Sequence, residues 1–464
     1  QLTAADAEWE GELNREGPGT SGVARGALAF AEARLDRDEG FQARQADGLW
    51  QGTVTLSGPE GLALEGSLEG AETAGRAGAA EWSLESAQLN GLALADGRLT
   101  LEALHGSGLA MGGPAAGEAL VRAQRLDLDR LTAGVAGVSA ADVRLGAASA
   151  GLTRTADGSW HGLPELLEAT GFPQRFALQR LEVTEGRLRL ADRGRSAPLE
   201  LVLAPADIRL SREAGTGEAF ELRVRSGLSP AGRVEGRLSL AGDGRRLQRV
   251  SGSVRGFPLA SVGDYLGTWL GATPASGRMD LDVSLKRTGD QLAGGAHAAL
   301  TAVDFATPGA GTGFRWPRVL AFLEDPSRQL SLNVRAAPGP ADDHGLAESL
   351  EAAARSALDQ EYGGLVDGDP VAALERWGAL PVGSVGPAGE DQRLGSIDRD
   401  RLDRLVGRLQ DRPRVDLAVC PAPGKPGEDA AQQVAGYLLD AGRASTQLAD
   451  CVPGRAGTGE AVRL

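Results

Sequence analysis

Lysine is nearly missing from this 464-residue chain: Lys286 and Lys425 are the only two, and arginine supplies the rest of 48 basic residues against 63 acidic ones. The net charge of −15 argues against a nucleic-acid binder, which needs a basic footprint. It argues equally against simple electrostatic docking to anionic lipid headgroups. No run of about 18 apolar residues exists, so no membrane-spanning helix is expected. The first residue is Gln1, which is expected of a processed chain or of one lacking an N-terminal segment. Cysteine is limited to Cys420 and Cys451: one disulfide in an oxidising compartment, or two inert thiols.

The chemistry-bearing motifs are missing too. The four histidines, His105, His161, His297 and His344, are scattered, and none has a second ligand at metal spacing. No metal and no cofactor is therefore expected. Asp342-Asp343-His344 reads as a solvated turn beside Pro338 and Pro340. Gly17-x-Gly19-x-x-Gly22 has the letters of a dinucleotide fingerprint, but it contains Pro18, follows no strand and opens no helix. There is no nucleophile elbow, Walker loop or His-Glu-x-x-His. The expectation is a protein that is not an enzyme.

What the chain does have is a returning unit, Gly-Arg-Leu-x-Leu. It occurs as Gly97-Arg98-Leu99-Thr100-Leu101, Gly186-Arg187-Leu188-Arg189-Leu190 and Gly236-Arg237-Leu238-Ser239-Leu240. A fourth copy, Gly277-Arg278-Met279-Asp280-Leu281, has Met for Leu. An apolar residue at every second position means a strand with one apolar and one wet face. Leu99, Leu101, Leu188, Leu190, Leu238, Leu240, Met279 and Leu281 are thus the candidate residues of one long apolar surface. Arg98, Arg187, Arg237 and Arg278 fall on the opposite face, as solvated positions that also discourage edge aggregation.

Four regions follow. Residues 1–47 are mixed, with Ala4 to Glu10 readable as a helix capped by Thr3. Residues 48–340 read as strands separated by hairpin signals such as Asp96-Gly97, Asp157-Gly158 and Gly289-Asp290. Short helices are expected over Pro164 to Thr170, Ala260 to Leu270 and Trp316 to Leu323. Residues 341–376 form an alanine-rich helix, Leu346 to Tyr362, and a Gly/Pro linker. Residues 377–464 carry an α/β pattern. Asp398 to Leu409 aligns Leu402, Leu405, Val406 and Leu409 on one face, and Asp429 to Ala441 is closed by Gly442. Cys420 and Cys451 each end a predicted strand of this unit. A bridge between parallel neighbours there would stabilise by roughly 3–4 kcal/mol.

The stretch from Leu178 to about Val334 resembles the C-terminal part of AsmA-like periplasmic proteins, in a subgroup of unknown function. The phrases that carry the resemblance are Leu181-Glu182-Val183-Thr184-Glu185-Gly186-Arg187-Leu188 with Ala191-Asp192-Arg193, then Pro198-Leu199-Glu200-Leu201. The run from Val254 to Gly267, Ser276 to Val283 and Leu320 to Asp325 follow in the same order. The resemblance implies a mainly β fold: an elongated, curved, taco-like antiparallel sheet groove with an apolar concave side. Residues 377–464 resemble a degenerate OmpA-like domain, with Ala431, Val434, Tyr437 and Leu438 at that family's helix scaffold positions. Its peptidoglycan-binding arginine falls on Ala430 and the matching aspartate near Pro423, so cell-wall binding is not carried over.

The implied role lies in the periplasm of a Gram-negative bacterium, with phospholipid or another acyl lipid as cargo. Two C16 chains hold about 30 methylenes, roughly 25 kcal/mol of apolar surface to hide at about 0.8 each. Many members of the family are held in the inner membrane by an N-terminal helix, and attachment through a missing N-terminal segment is expected here. The alternative is a scaffold for cell-envelope proteins, its apolar face covered by a partner.

Overall fold

The computed structural model describes residues 2–463 except 5, 16–21, 38–40, 58–60, 78–79, 96–97, 113–119, 135–136, 163–175, 195–197, 213–219, 242–245, 271, 289–290, 309–315, 337–342, 364, 367, 378–379, 381–383, 386, 389–392, 411, 413–414, 416, 422–424, 443–447 and 450–461. The protein is mainly β, and the chain divides into two compact units, Gln1–Val254 and Arg255–Leu464.

The first unit begins with β1 (Leu2–Thr3), β2 (Asp6–Arg15), β3 (Gly22–Arg37), β4 (Phe41–Ser57) and β5 (Gly61–Ala77). It continues with β6 (Ala80–Ala95), β7 (Arg98–Gly112), β8 (Val121–Gly134) and β9 (Gly137–Gly146). From β2 to β9 every strand pairs antiparallel with the next. After β10 (Ser149–Arg154) and β11 (Trp160–Gly162) come β12 (Phe176–Asp192), β13 (Leu199–Arg212), β14 (Phe220–Ser229) and β15 (Arg233–Leu240). β12 runs parallel to β9 along its first half and parallel to β10 along its second. From β12 to β15 the order is again an antiparallel meander. Among the described residues this unit holds no helix. The Pro164–Thr170 expectation lies outside the described residues.

The helix expected over Ala4 to Glu10 is a correction: Asp6 to Glu10 lie in β2. Ala7, Trp9, Gly11 and Leu13 alternate with Glu8, Glu10 and Glu12, a period of two that outweighs the helix propensity of alanine and glutamate. The strands are also longer than the sequence reading expects. Trp82 to Leu84 and Leu89 to Leu94, which alternation reads as two separate strands, are one strand, β6. The reason is a step of three in the apolar pattern. In β6 the apolar positions run Trp82, Leu84, Ala87, Leu89, Leu92, Leu94, and in β8 they run Val121, Ala123, Leu126, Leu128, Leu131. At each step two adjacent residues face outward; Ala71 with Glu72, Glu85 with Ser86, Gln124 with Arg125 and Thr184 with Glu185 are exposed pairs.

From β5 to β8 neighbouring strands make the first step together, whereas the ladder shifts register opposite Gly91, between Gly66 and Leu68 of β5, and at Glu185, between Val183 and Gly186. At the first step, Ala71–Ser86 and Thr73–Leu84 are rungs on either side of Glu72 and Glu85, so no register is lost, unlike a β-bulge that adds a residue to one strand only. The steps line up into two seams. The first passes Glu72, Glu85, Gly108, Gln124, Ala147 and Glu185; the second passes Gly91, Glu102, Arg130 and Ala141. The left-handed conformation falls on Glu72 (φ 50), Gly108 (φ 62), Ala147 (φ 49) and Glu185 (φ 55) in one, and on Gly91 (φ 62) and Arg130 (φ 53) in the other.

In the second unit, β17 (Ala272–Thr288), β18 (Gln291–Pro308) and β19 (Gln329–Ala336) form an antiparallel meander; β16 (Leu247–Pro258) runs across the boundary residue. Here the sheet has a helical cover. A 3-10 turn at Leu259–Val262 leads into α1 (Gly263–Leu270), and α2 (Trp316–Leu323) and α3 (Asp343–Tyr362) follow. Val319, Leu320 and Leu323 from α2 and Ala354, Leu358 and Tyr362 from α3 pack with Val303, Leu330 and Leu332 of the sheet. α4 (Pro370–Trp377), which sequence reading takes for linker, adds Val371, Ala373 and Leu374 to that core. Asp369 caps it through the Val371 N–H at 2.8 Å.

The C-terminal part has β20 (Ser384–Val385), β21 (Pro387–Ala388), β22 (Arg393–Leu394) and α5 (Ser396–Gln410), then β23 (Leu417–Ala418), α6 (Lys425–Asp440), β24 (Leu448–Ala449) and β25 (Val462–Arg463). Leu402, Leu405, Val406 and Leu409 are the buried face of α5, as the spacing predicts. Gly442 follows α6 at φ +96, the left-handed stop that its sequence position implies. β23 pairs parallel with β24, Leu417 against Leu448 and Ala418 against Ala449. Cys420 is disulfide-bonded; Cys451, the chain's one other cysteine, lies outside the described residues.

Three substitutions test these elements. Gly91→Ala forces an alanine into φ +62 against the Glu102 side chain, and the expected loss is about 1–2 kcal/mol in urea unfolding. Gly134→Ala, which meets no atom within 4 Å, is expected to stay within about 0.5 kcal/mol of the parent. Cys420→Ser is expected to destabilise the second unit by about 3–4 kcal/mol, read as a lowered unfolding midpoint that reductant lowers equally in the parent.

Candidate functional site

One rung crosses the first unit and is apolar in every strand it meets. It runs from Trp9 in β2 through Leu28, Trp50, Leu68, Leu89 and Leu104. It continues through Leu128, Val143, Leu181, Leu210 and Leu222 to Leu238 in β15. With strands about 4.8 Å apart, the rung is about 50 Å long, well beyond the roughly 30 Å hydrocarbon thickness of a bilayer. In its middle strands it lies between the two seams. The steps of three on either side keep it on one face while the flanking residues turn with it.

Trp50 and Leu128 are buried and Trp9 is 37% exposed; the other members are half-buried. Their neighbours are largely each other. Leu84, Ala87, Leu109, Ala123 and Ala148 form one lateral cluster, and Leu128, Ala140 and Leu178 another.

The sequence-predicted residues fall beside this rung. Leu238 belongs to it. Leu188 pairs with Leu203 and Leu190 with Leu201; Leu240 pairs with Phe220; Leu99 pairs with Leu94 and Leu101 with Leu131. Leu101 is buried at 4%. Met279 and Leu281 lie in the second unit, where Met279 packs against the helix-covered core and Leu281 pairs with Ala298. Of the members outside the Gly-Arg-Leu-x-Leu units, Leu104 sits one step of three beyond Leu101 in β7, and Leu89 and Leu128 each lie one such step before Leu92 and Leu131. An adjacent pair of polar residues inside an otherwise alternating run is the signal that locates them.

The face changes character in β2 to β5. There a second rung, Gly11, Gly26, Gly52 and Gly66, lies beside the first. The Trp50 indole covers Gly52 and Gly66, with ring atoms 2.6 and 2.8 Å from where a Cβ would sit. Trp9 stacks on Trp50 at 6.0 Å and 30°, and Phe30 lies over Gly48. Flat rings on bare backbone fill this end, whereas branched leucines line the rest.

The opposite face is ionic. Arg189 pairs with Glu200 at 2.8 Å, Arg209 with Glu182 at 2.5 Å, Arg225 with Glu235 at 2.9 Å and Arg237 with Glu221 at 3.0 Å. The hydrogen bond from Arg189 holds the Glu200 carboxyl below the usual range. Such exposed pairs each contribute about 0–1 kcal/mol. Arg98, Arg187 and Arg278 are exposed, the solvated positions expected of them.

The densest polar cluster is the turn between β10 and β11. The Thr155 hydroxyl donates to Asp157 Oδ1 at 2.5 Å, and the Ser159 hydroxyl reaches the same oxygen at 2.8 Å. His161 Nε2 lies 3.1 Å from Ser159 Oγ. The carboxylate faces the serine and threonine rather than the imidazole, so it does not orient the histidine as a base. Gly158 at φ +86 completes the turn. Among the described residues no group of three or more His, Cys, Asp or Glu could hold a metal ion. No helix among them is long and apolar enough to cross a membrane.

No family model matches the chain, and no curated protein is similar enough to count as a relative.

The hydrogen bonds from Thr155 and Ser159 lower the Asp157 pKa to about 2. A carboxyl held low favours the folded state above its unfolded pKa, and that contribution is lost as pH falls toward 2. In a carbon-detected NMR titration, Asp157 is expected to titrate near 2, and Thr155→Val to raise that value toward the ordinary aspartate range.

Proposed function

We propose that this is a periplasmic envelope protein whose first unit carries or shields lipid acyl chains along its apolar sheet face. The observation that supports this most directly is the unbroken rung from Trp9 to Leu238. An acyl chain gains about 0.8 kcal/mol per methylene removed from water, and it needs a continuous apolar path to keep that gain while it moves. A rung of about 50 Å with no helical cover among the described residues of its unit offers such a path.

The resemblance of Leu178 to Val334 to AsmA-like periplasmic proteins supports the same reading, and so does a disulfide at Cys420, which persists in oxidising compartments. Cell-wall binding by the C-terminal part is disfavoured. Ala430, where the OmpA-like pattern has its ligand-binding arginine, is 6% exposed and packed with Val434 and Leu438. A side chain at that position points into the core rather than toward a ligand.

Native mass spectrometry of detergent-free protein is expected to show bound acyl lipid. A Leu104→Asp/Leu222→Asp variant with parental circular dichroism is expected to carry at least about tenfold less, because a carboxylate on the path must be desolvated against the chain. Lipid-free parent protein, or lipid unchanged in the variant, would refute the proposal. Recovery of a stoichiometric protein partner on the same face, with no lipid, would instead favour the scaffold reading.

A further inference from the structure

We infer that a cleft between α3 and α5 binds a phosphate group, independently of what the first unit carries. The cleft holds about 420 Å³. Gln360 and Glu361 of α3 and Leu365 just beyond it line one side, and Arg404, Gly407 and Arg408 line the other. The last three are spaced three and four residues apart, so α5 presents them on one face. Leu365 is 5% exposed and packs with Leu402, Leu405 and Val406, which gives the cleft a fixed floor.

Charge selects the ligand. Among the described residues Glu361 is the one carboxylate that lines the cleft. It accepts from Arg408 Nη1 at 3.3 Å and from Arg412 Nη2 at 3.1 Å, and Arg401 donates to the Leu365 carbonyl at 3.2 Å. These three contacts fit arginines gathered at the carbonyl end of a helix. Arg404 has no such role. It donates through Nε to the Asp400 carbonyl at 3.3 Å and has no carboxylate partner among the described residues. Asp403, its neighbour, is turned to α6, where the Tyr437 hydroxyl donates to it at 2.6 Å. Arg404, Arg408 and Arg412 against Glu361 leave about two positive charges, and a phosphate group carries about −1.5 to −2 at pH 7. Guanidinium forks suit its oxygens.

Gly407 points the same way. Glycine weakens a helix interior relative to alanine, yet it stands within α5. A Cβ there would meet no atom within 4 Å, so helix packing does not require glycine. What a side chain would enter is the cleft.

The probe is inorganic phosphate, titrated calorimetrically into the full chain at low salt. Binding is expected, and Arg404→Gln/Arg408→Gln with parental circular dichroism is expected to weaken it at least about tenfold. Gly407→Leu, which keeps every charge and fills the cleft, is expected to weaken it comparably, and Arg98→Gln in the first unit to leave it unchanged. A net charge of −15 opposes approach to an anionic bilayer, so the phosphate is expected on a soluble ligand: phosphatidylcholine vesicles containing phosphatidic acid should retain no more protein than vesicles without it. Extra retention that Arg404→Gln/Arg408→Gln abolishes would keep the site and assign the phosphate to a lipid headgroup. No binding of phosphate, undiminished binding by the double arginine variant, or acetate bound as tightly as phosphate would overturn the inference.

Discussion

A single sheet face stays apolar only if every strand keeps its inward parity, and here that parity is reset twice along β6, β7 and β8. The apolar path proposed for the protein depends on how the reset is made. If one strand stepped and its neighbour did not, each rung beyond the step would pair an inward with an outward residue. Because β5 to β8 take the first step together, with outward pairs such as Glu85-Ser86 and Gln124-Arg125, the rung from Leu89 through Leu104 and Leu128 to Val143 survives. The cost is a left-handed residue in alternate strands, and several of these are glutamate, arginine or alanine rather than glycine. That conformation costs a residue with a Cβ about 1–2 kcal/mol, so it persists only where the ladders on both sides hold it.

Much of this was legible in the residues, and the boundary of legibility is physical. Gly-Arg-Leu-x-Leu located one face of β7, β12, β15 and β17 correctly, because alternation is a local property. The helices Trp316 to Leu323 and the buried stripe of α5 were legible for the same reason. The rung was not, because it is a relation between strands set by ladder register. The seams hid it further: a reader counting in twos loses the pattern at Leu101 and regains it at Leu104. β2 was misread because alanine and glutamate favour helices in isolation, whereas pairing with β3 rewards the alternation of Trp9 and Leu13 with the glutamates.

The two units solve the problem of an apolar sheet face differently. In the second, α2 and α3 bring Val319, Leu320, Ala354 and Leu358 down onto Leu330 and Leu332, and these residues are nearly inaccessible. Tyr362 then donates its hydroxyl to the Phe322 carbonyl at 2.7 Å, and Arg412 reaches the same oxygen at 3.1 Å, tying the C-terminal part to this helical layer. Burial pushes the Tyr362 hydroxyl pKa up, which keeps it a neutral donor. In the first unit the leucines have mostly one another, and most of those on the rung remain half-buried.

That difference carries an energetic consequence. Most members of the rung stay half-buried, and the lateral leucine contacts supply only part of the stabilisation that a second layer would add. A ligand on this face would then contribute to the stability of the unit by mass action as well as being its cargo. An acyl chain suits that role better than a fixed protein layer: it supplies methylenes at every point of the rung without requiring one register. The aromatic end alters the balance locally. Trp50 already covers Gly52 and Gly66 with its own ring, so β2 to β5 need less from a ligand than the leucine-lined strands that follow. On this reading an acyl chain gains most between β6 and β15, and the tryptophan end is where its hold is weakest.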